Sequence, residues 1–116
     1  MLGLSANLNY YLFNGNVDLR KGIFRLCESI REEMSLDPSD ASNVYMFMSR
    51  NRKVVKILHY ERVFYVLYEK RPVMGKFKKP VFDEVSRCYR IQWSDMAYLT
   101  ESIVVDKMYV SPKGQY

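Results

Sequence analysis

The 116-residue chain has one histidine, one tryptophan, two cysteines and no long apolar run. Each scarcity closes off a class of function. His59 stands alone, so no histidine pair can hold a metal, and neither cysteine has a second ligand nearby. It reads as a packed or surface histidine. Cys27 falls on a helical apolar face and Cys88 in a predicted strand, so both read as reduced, buried thiols of a cytosolic protein. Nothing approaches the roughly 18 uninterrupted apolar residues of a membrane span. The start, MLGLSANLNYYLF, lacks the basic flank and long apolar centre of a signal peptide. A cytoplasmic, single-domain protein spanning residues 1–116 is expected.

Catalytic sets are equally scarce. Met74-Gly75-Lys76 lacks the spaced glycines and following Ser/Thr of a phosphate loop. The carboxylates are scattered, with Asp18 read as a helix cap, Asp37 and Asp40 in a turn, and Asp83 next to Glu84. No spacing among them points to magnesium, although three could gather in space. With no nucleophile, base or metal set legible, the chain reads as a non-enzyme without a cofactor. A nuclease-like enzyme using dispersed carboxylates is the third-ranked alternative.

What the chain does have is β-favouring sequence. The run VYMFMSRNRKVVKILHYERVFYVLYEKR, Val44 to Arg71, predicts a three-stranded meander over Asn43–Ser49, Arg52–Tyr60 and Val63–Lys70. Arg50-Asn51 and Glu61-Arg62 are the expected two-residue turns. The pleat then sorts the side chains into two faces. Val44, Met46, Met48, Val55, Ile57, His59, Phe64, Val66 and Tyr68 form the better core face. Tyr45, Phe47, Val54, Lys56, Leu58, Tyr60, Val63, Tyr65, Leu67 and Glu69 form the other, which is either covered or used for binding.

The elements around the meander complete an expected α+β fold, an antiparallel sheet built on the meander with one amphipathic helix packed on it. Asn9–Phe13 is a short β-like segment closed by Asn14-Gly15-Asn16. Leu19, Ile23, Leu26, Cys27, Ile30 and Met34 make one helical stripe, so an amphipathic helix is expected over about 19–34 with Asp18 as its cap. Gly22 would lie inside it at a cost on the order of 1 kcal/mol against alanine. The helix's polar face runs from Arg20, Lys21 and Arg25 to Glu28, Glu32 and Glu33, against the macrodipole. That face is either solvated, with Arg25–Glu28 and Glu28–Arg31 pairs, or open to a phosphate at its start. Leu36-Asp37-Pro38 ends the helix. A loop with a short edge strand is expected over residues 72–80, and a strand over Val85–Gln92. A short C-terminal helix over about 94–102 with Ser94 as cap follows, then a strand over Val104–Val110 and a frayed tail at 111–116.

The net charge of +5 is concentrated. Residues Arg50 to Lys79 hold ten basic side chains against Glu61 and Glu69, or +8, leaving −3 for the remainder. Such a density attracts polyanions through long-range potential and counterion release. It equally suits a solvated edge that resists strand pairing. Aromatics interleave with the cations (Tyr45, Tyr60, Tyr65, Tyr68, Phe77), supplying stacking platforms unless they are core.

Several short motifs stand in a particular order and spacing. Val17-Asp18-Leu19-Arg20-Lys21-Gly22 and Leu36-Asp37-Pro38 flank the helix. Phe47, Arg50, Arg52, Lys56-Ile57-Leu58 and Tyr60-Glu61 follow in the meander. Lys70-Arg71, Gly75, Phe77 and Pro80 come next, then the segment Trp93 to Ile103. Over Tyr10 to Ile103 the chain resembles the TnpB-type accessory protein, encoded by the second open reading frame, of the insertion-sequence-sixty-six family of bacterial transposons. Departures include Val63-Phe64 where the family has glycine near the second turn, and Pro72-Val73 where it has Leu-Glu. The resemblance implies a role in DNA transposition beside a separate transposase that performs the strand chemistry.

The expected binding surface comprises Arg20, Lys21, Arg50, Arg52, Lys53, Lys56, Arg62, Lys70, Arg71, Lys76, Lys78 and Lys79. Its expected partner is duplex DNA at transposon ends, the transposase, or both, with self-association left open and neither a membrane nor a small-molecule substrate expected. The alternative is a protein-interaction module that meets an acidic partner without binding DNA.

Overall fold

A computed structural model describes residues 4–13, 18–20, 22–82, 86 and 88–104. Five strands form one sheet in the order β4-β3-β2-β1-β6: β1 Asn9–Phe13, β2 Asn43–Met48, β3 Val55–Glu61, β4 Phe64–Lys70 and β6 Cys88–Ile91. Helix α1, Ile23–Ser29, continues as a π-helical turn over Ile30–Met34 and covers one face. Helix α2, Trp93–Glu101, covers the other. A two-stranded sheet pairs β5, Lys76–Phe77, with β7, Ile103–Val104.

The sheet is mixed, which corrects the expectation of an antiparallel one. β1 runs parallel to β2, with Tyr11 beside Tyr45, while β6 joins β1 antiparallel. A strand, a helix and a second strand in succession suit a parallel pair, because parallel neighbours require a long crossover. Here α1 is that crossover.

The meander itself forms, with both turns displaced. A two-residue turn at Arg50-Asn51 would set Tyr45 opposite Lys56. Tyr45 instead faces Leu58, and residues 49–54 form a longer loop. The second turn is Arg62-Val63, not Glu61-Arg62, so Leu58 faces Leu67 rather than Tyr65. Both displacements move the partner by two residues. An even shift leaves the faces unchanged, so every predicted meander face holds across the strands.

Both faces are core. Tyr10, Leu12, Val44, Met46, Val55, Ile57, Phe77, Met96 and Leu99 bury beneath α2. Phe13, Leu26, Cys27, Ile30, Tyr45, Phe47 and Leu58 bury beneath α1. The face left open between cover and binding is therefore covered. His59 is a packed histidine, its Nε2 3.0 Å from the Ala41 carbonyl oxygen. Cys27 is buried, Cys88 is half-buried, and both are free thiols.

The helix boundaries differ from the expectation for local reasons. Asp18 does not cap α1, because its carboxylate accepts from the Arg20 backbone N–H and guanidinium at 2.9–3.0 Å. Gly22 is the N-cap itself, in extended backbone, and not an interior residue. The Arg25–Glu28 and Glu28–Arg31 pairs are not among the ion pairs of the described residues. α2 is capped by Gln92 rather than Ser94. Gln92 and Asp95 form a reciprocal capping box, each side chain accepting from the other's backbone N–H. The predicted strand beyond Val104, the tail at 111–116, Asp83, Glu84 and the Asn14–Asn16 turn lie outside the described residues.

Val63 sits at φ 66° and Arg62 at φ 42°, the left-handed pair of a type I′ hairpin. A β-branched residue there is strained by roughly 1–2 kcal/mol. Its side chain is 80% exposed, so removing it forfeits little packing. Val63→Gly should raise the urea midpoint by the equivalent of about 0.5–1 kcal/mol, with unchanged m-value. A lower midpoint would show that the isopropyl group has a role in the folded state.

Candidate nucleic-acid interface

The β2–β3 loop is held by its own short side chains. Ser49 Oγ accepts from the Lys53 and Val54 backbone N–H groups at 3.1 and 3.0 Å and donates to Asn51 Oδ1 at 2.8 Å. Asn51 Oδ1 also accepts from Lys53 N–H at 3.0 Å, an Asx turn. The backbone closes with Arg52 N–H on the Ser49 carbonyl and Ser49 N–H on the Val54 carbonyl, both at 2.9 Å. Arg52 takes φ 60° to allow this. The loop thus carries Arg50, Arg52 and Lys53 on a fixed backbone.

That loop is tied to β5. Phe77 N–H donates to the Arg52 carbonyl at 2.8 Å, and the Arg52 guanidinium donates back to the Phe77 carbonyl at 3.4 Å. The Phe77 ring is buried and anchors the junction. Lys76 and Lys78 flank it, and Lys79 follows, exposed. Lys78 N–H donates to the Ser102 carbonyl at 3.2 Å. Its ammonium donates to Tyr98 Oη at 2.7 Å and lies 5.2 Å from the ring centroid. That hydrogen bond, then one with Ser102, lowers the Tyr98 phenol below its ordinary pKa. Cations some 25 positions apart in sequence therefore meet at one end of the sheet.

The other expected residues divide. Lys70 ends β4 beside this loop, since it pairs with Val55, and Arg71 follows it. Both are engaged: Lys70 Nζ donates to the Thr100 carbonyl at 3.0 Å and lies 3.5 Å from Glu101, while Arg71 meets Glu69 at 2.7 Å. Arg20 pairs with Asp18 at 3.0 Å. Lys56 is buried under α1, its ammonium bonded to the Leu19 carbonyl and 3.7 Å from Glu69. It tethers the segment preceding the helix and is not part of a surface. Arg62 is exposed at the opposite end of β4, roughly 20 Å away along the strand. Lys21 lies outside the described residues.

Of the aromatics read as stacking platforms, Tyr45 and Phe77 are core. The aromatic ring beside the cations is Tyr98, 55% exposed and twenty positions from Lys78. No linear spacing announces it. Among the described residues there is no group of three or more His, Cys, Asp or Glu side chains that could hold a metal ion. Nor is any helix among them long and apolar enough to cross a membrane.

The family model described as IS66 Orf2 like protein matches residues 8–109, from the start of β1 past α2. The chain belongs to the IS66 Orf2-like family. No curated protein and no solved structure matches it. Membership identifies an accessory protein of insertion-sequence transposition, in a family not known to be catalytic. In this IS66 Orf2-like chain, Arg50 and Arg52 stand on the basic loop, while Lys56 is internal. The stretch Arg50–Lys56 thus mixes surface cations with a buried tether.

Proposed function

We propose that the protein is a non-enzymatic accessory factor of transposition that binds duplex DNA through its basic end. The contact set is Arg50, Arg52, Lys53, Lys76, Lys78 and Lys79. The observation that carries this reading is the reciprocal Arg52–Phe77 clasp, one bond from backbone and one from the guanidinium, which brings two cationic segments onto one end of the sheet. Lysine and arginine heads there meet phosphates without reading bases, so affinity is electrostatic and sequence-tolerant.

Duplex binding followed by fluorescence anisotropy tests it. The slope of log K against log salt is expected near about −4 to −5, from five or so neutralised phosphates. The variant Arg50→Ala/Lys53→Ala/Lys79→Ala should make that slope shallower by about 2 to 3. Arg62→Ala, at the far end, should leave it unchanged. A wild-type slope near zero, with retained binding to the transposase, would replace DNA by an acidic protein partner.

A further inference from the structure

The sheet has two edges, and they differ. β6 is four residues long, whereas β4 is seven and pairs with β3 without a bulge from Val55–Lys70 to Glu61–Phe64. Among the described residues β4 is bonded on that side only. In a type I′ hairpin the residues flanking the turn form a hydrogen-bonded pair, here Glu61 and Phe64. Alternation then turns the main-chain N–H and C=O groups of Tyr65, Leu67 and Glu69 away from β3.

Open edges are ordinarily blunted by proline, bulges or outward charges. Phe64–Tyr68 (FYVLY) contains none of these. The charged residues that follow are turned to the protein's own groups: Glu69 to Lys56 and Arg71, Lys70 to Thr100 and Glu101. Apolar side chains rim the same edge. Phe24 is 76% exposed and stands edge-on to Tyr65, with ring centroids 6.2 Å apart, and Phe64 is 68% exposed.

We propose that β4 is the seam of a homodimer, in which a second copy adds its own β4 antiparallel about a two-fold axis through Leu67. The register follows from the chain's own groups. Leu67 meets Leu67 and Tyr65 meets Glu69, so all three outward-facing residues of each copy bond to the other. Val66 falls opposite Tyr68, and Phe64 opposite Lys70, with no like charges facing. An axis through Glu69 would set two carboxylates face to face. One through Tyr65 would oppose Glu69 with Glu61. The antiparallel sense also sends the two basic ends to opposite sides of the joint sheet, separating like charge. This inference does not depend on DNA binding.

Sedimentation velocity of the full chain, reduced and without DNA, should show twice the monomer mass within the micromolar range. Leu67→Lys should sediment as a monomer while keeping the wild-type far-ultraviolet circular dichroism. Because that variant could lose its fold, a second arm fixes the register. In a Cys88→Ser background, oxidation should link Leu67→Cys chains into dimers and leave Arg62→Cys chains unlinked. A wild-type protein that stays monomeric overturns the proposal, whether or not a transposase strand then occupies β4. So does a dimer that cross-links at residue 62 and not at residue 67.

Discussion

Phe47→Ala should cost about 3–5 kcal/mol, a large share of the roughly 5–15 kcal/mol that holds such a domain together. Phe47 is fully buried near the C-terminal end of β2, in the cluster that joins the sheet to Leu26, Cys27 and Ile30 of the helix. Its ring lies 5.6 Å from that of Phe13 on the parallel neighbour β1. Truncation removes the apolar transfer energy and leaves a void that β1, β2 and the helix cannot close together. Phe24→Ala, on the exposed side of the same helix, is the matched control and should stay within about 1 kcal/mol. Urea denaturation of the two variants decides the matter. Equal costs would mean that the helix does not pack on this face of the sheet.

Phe47 also shows how much of the fold was legible. Alternation placed it with Tyr45, Leu58 and Leu67, and that grouping survives because each turn error moved the strand partner by two residues. Periodicity could not say what lay above that face, since a covered face and a binding face can share a composition. Lys56 carried a readable signal: a lone lysine among tyrosine, phenylalanine and leucine on one face is either an active group or a tether. Its role as a tether depends on the Leu19 carbonyl, thirty-seven positions away, which no spacing rule reaches.

The errors elsewhere have similar causes. Asp18 has the right chemistry for a cap, but Arg20 two residues on competes for the same carboxylate and wins it. The parallel β1–β2 pair follows from the strand–helix–strand order, yet a short NYYLF segment gives no sense of direction by itself. At the basic end, Arg50, Arg52 and Lys53 were legible as a charge run. Their union with Lys76, Lys78 and the Tyr98 ring is tertiary, made by the Phe77 clasp and the β5–β7 pairing. Charge density can be read from a sequence, whereas which charges the fold has already used cannot.

Alkaline pH should destabilise the fold chiefly through Tyr45. The side chain is completely buried, its hydroxyl donating to the Asp37 carbonyl at 2.9 Å and accepting from Asn43 Nδ2 at 3.1 Å. Burial pushes its pKa up from 10.0 to about 12, against an opposing contribution from the Asn43 hydrogen bond. The folded-state value is raised, so the stabilisation is fully present below the unfolded pKa near 10 and is lost as pH climbs towards 12. Between those limits the unfolded chain releases the proton while the folded one keeps it. The loss should reach on the order of 2–3 kcal/mol. Tyr45→Phe should cost about 1–2 kcal/mol near neutrality, because the Asp37 carbonyl keeps only the Asp40 N–H of its two donors and Asn43 Nδ2 loses its acceptor. The same variant should flatten the alkaline limb, so that its urea midpoint and that of the wild type converge as pH rises. Burial raises Tyr10 and Tyr68 as well, so the variant's limb should be shallower without being flat. Parallel limbs would mean that the Tyr45 phenol ionises as readily inside the fold as outside it.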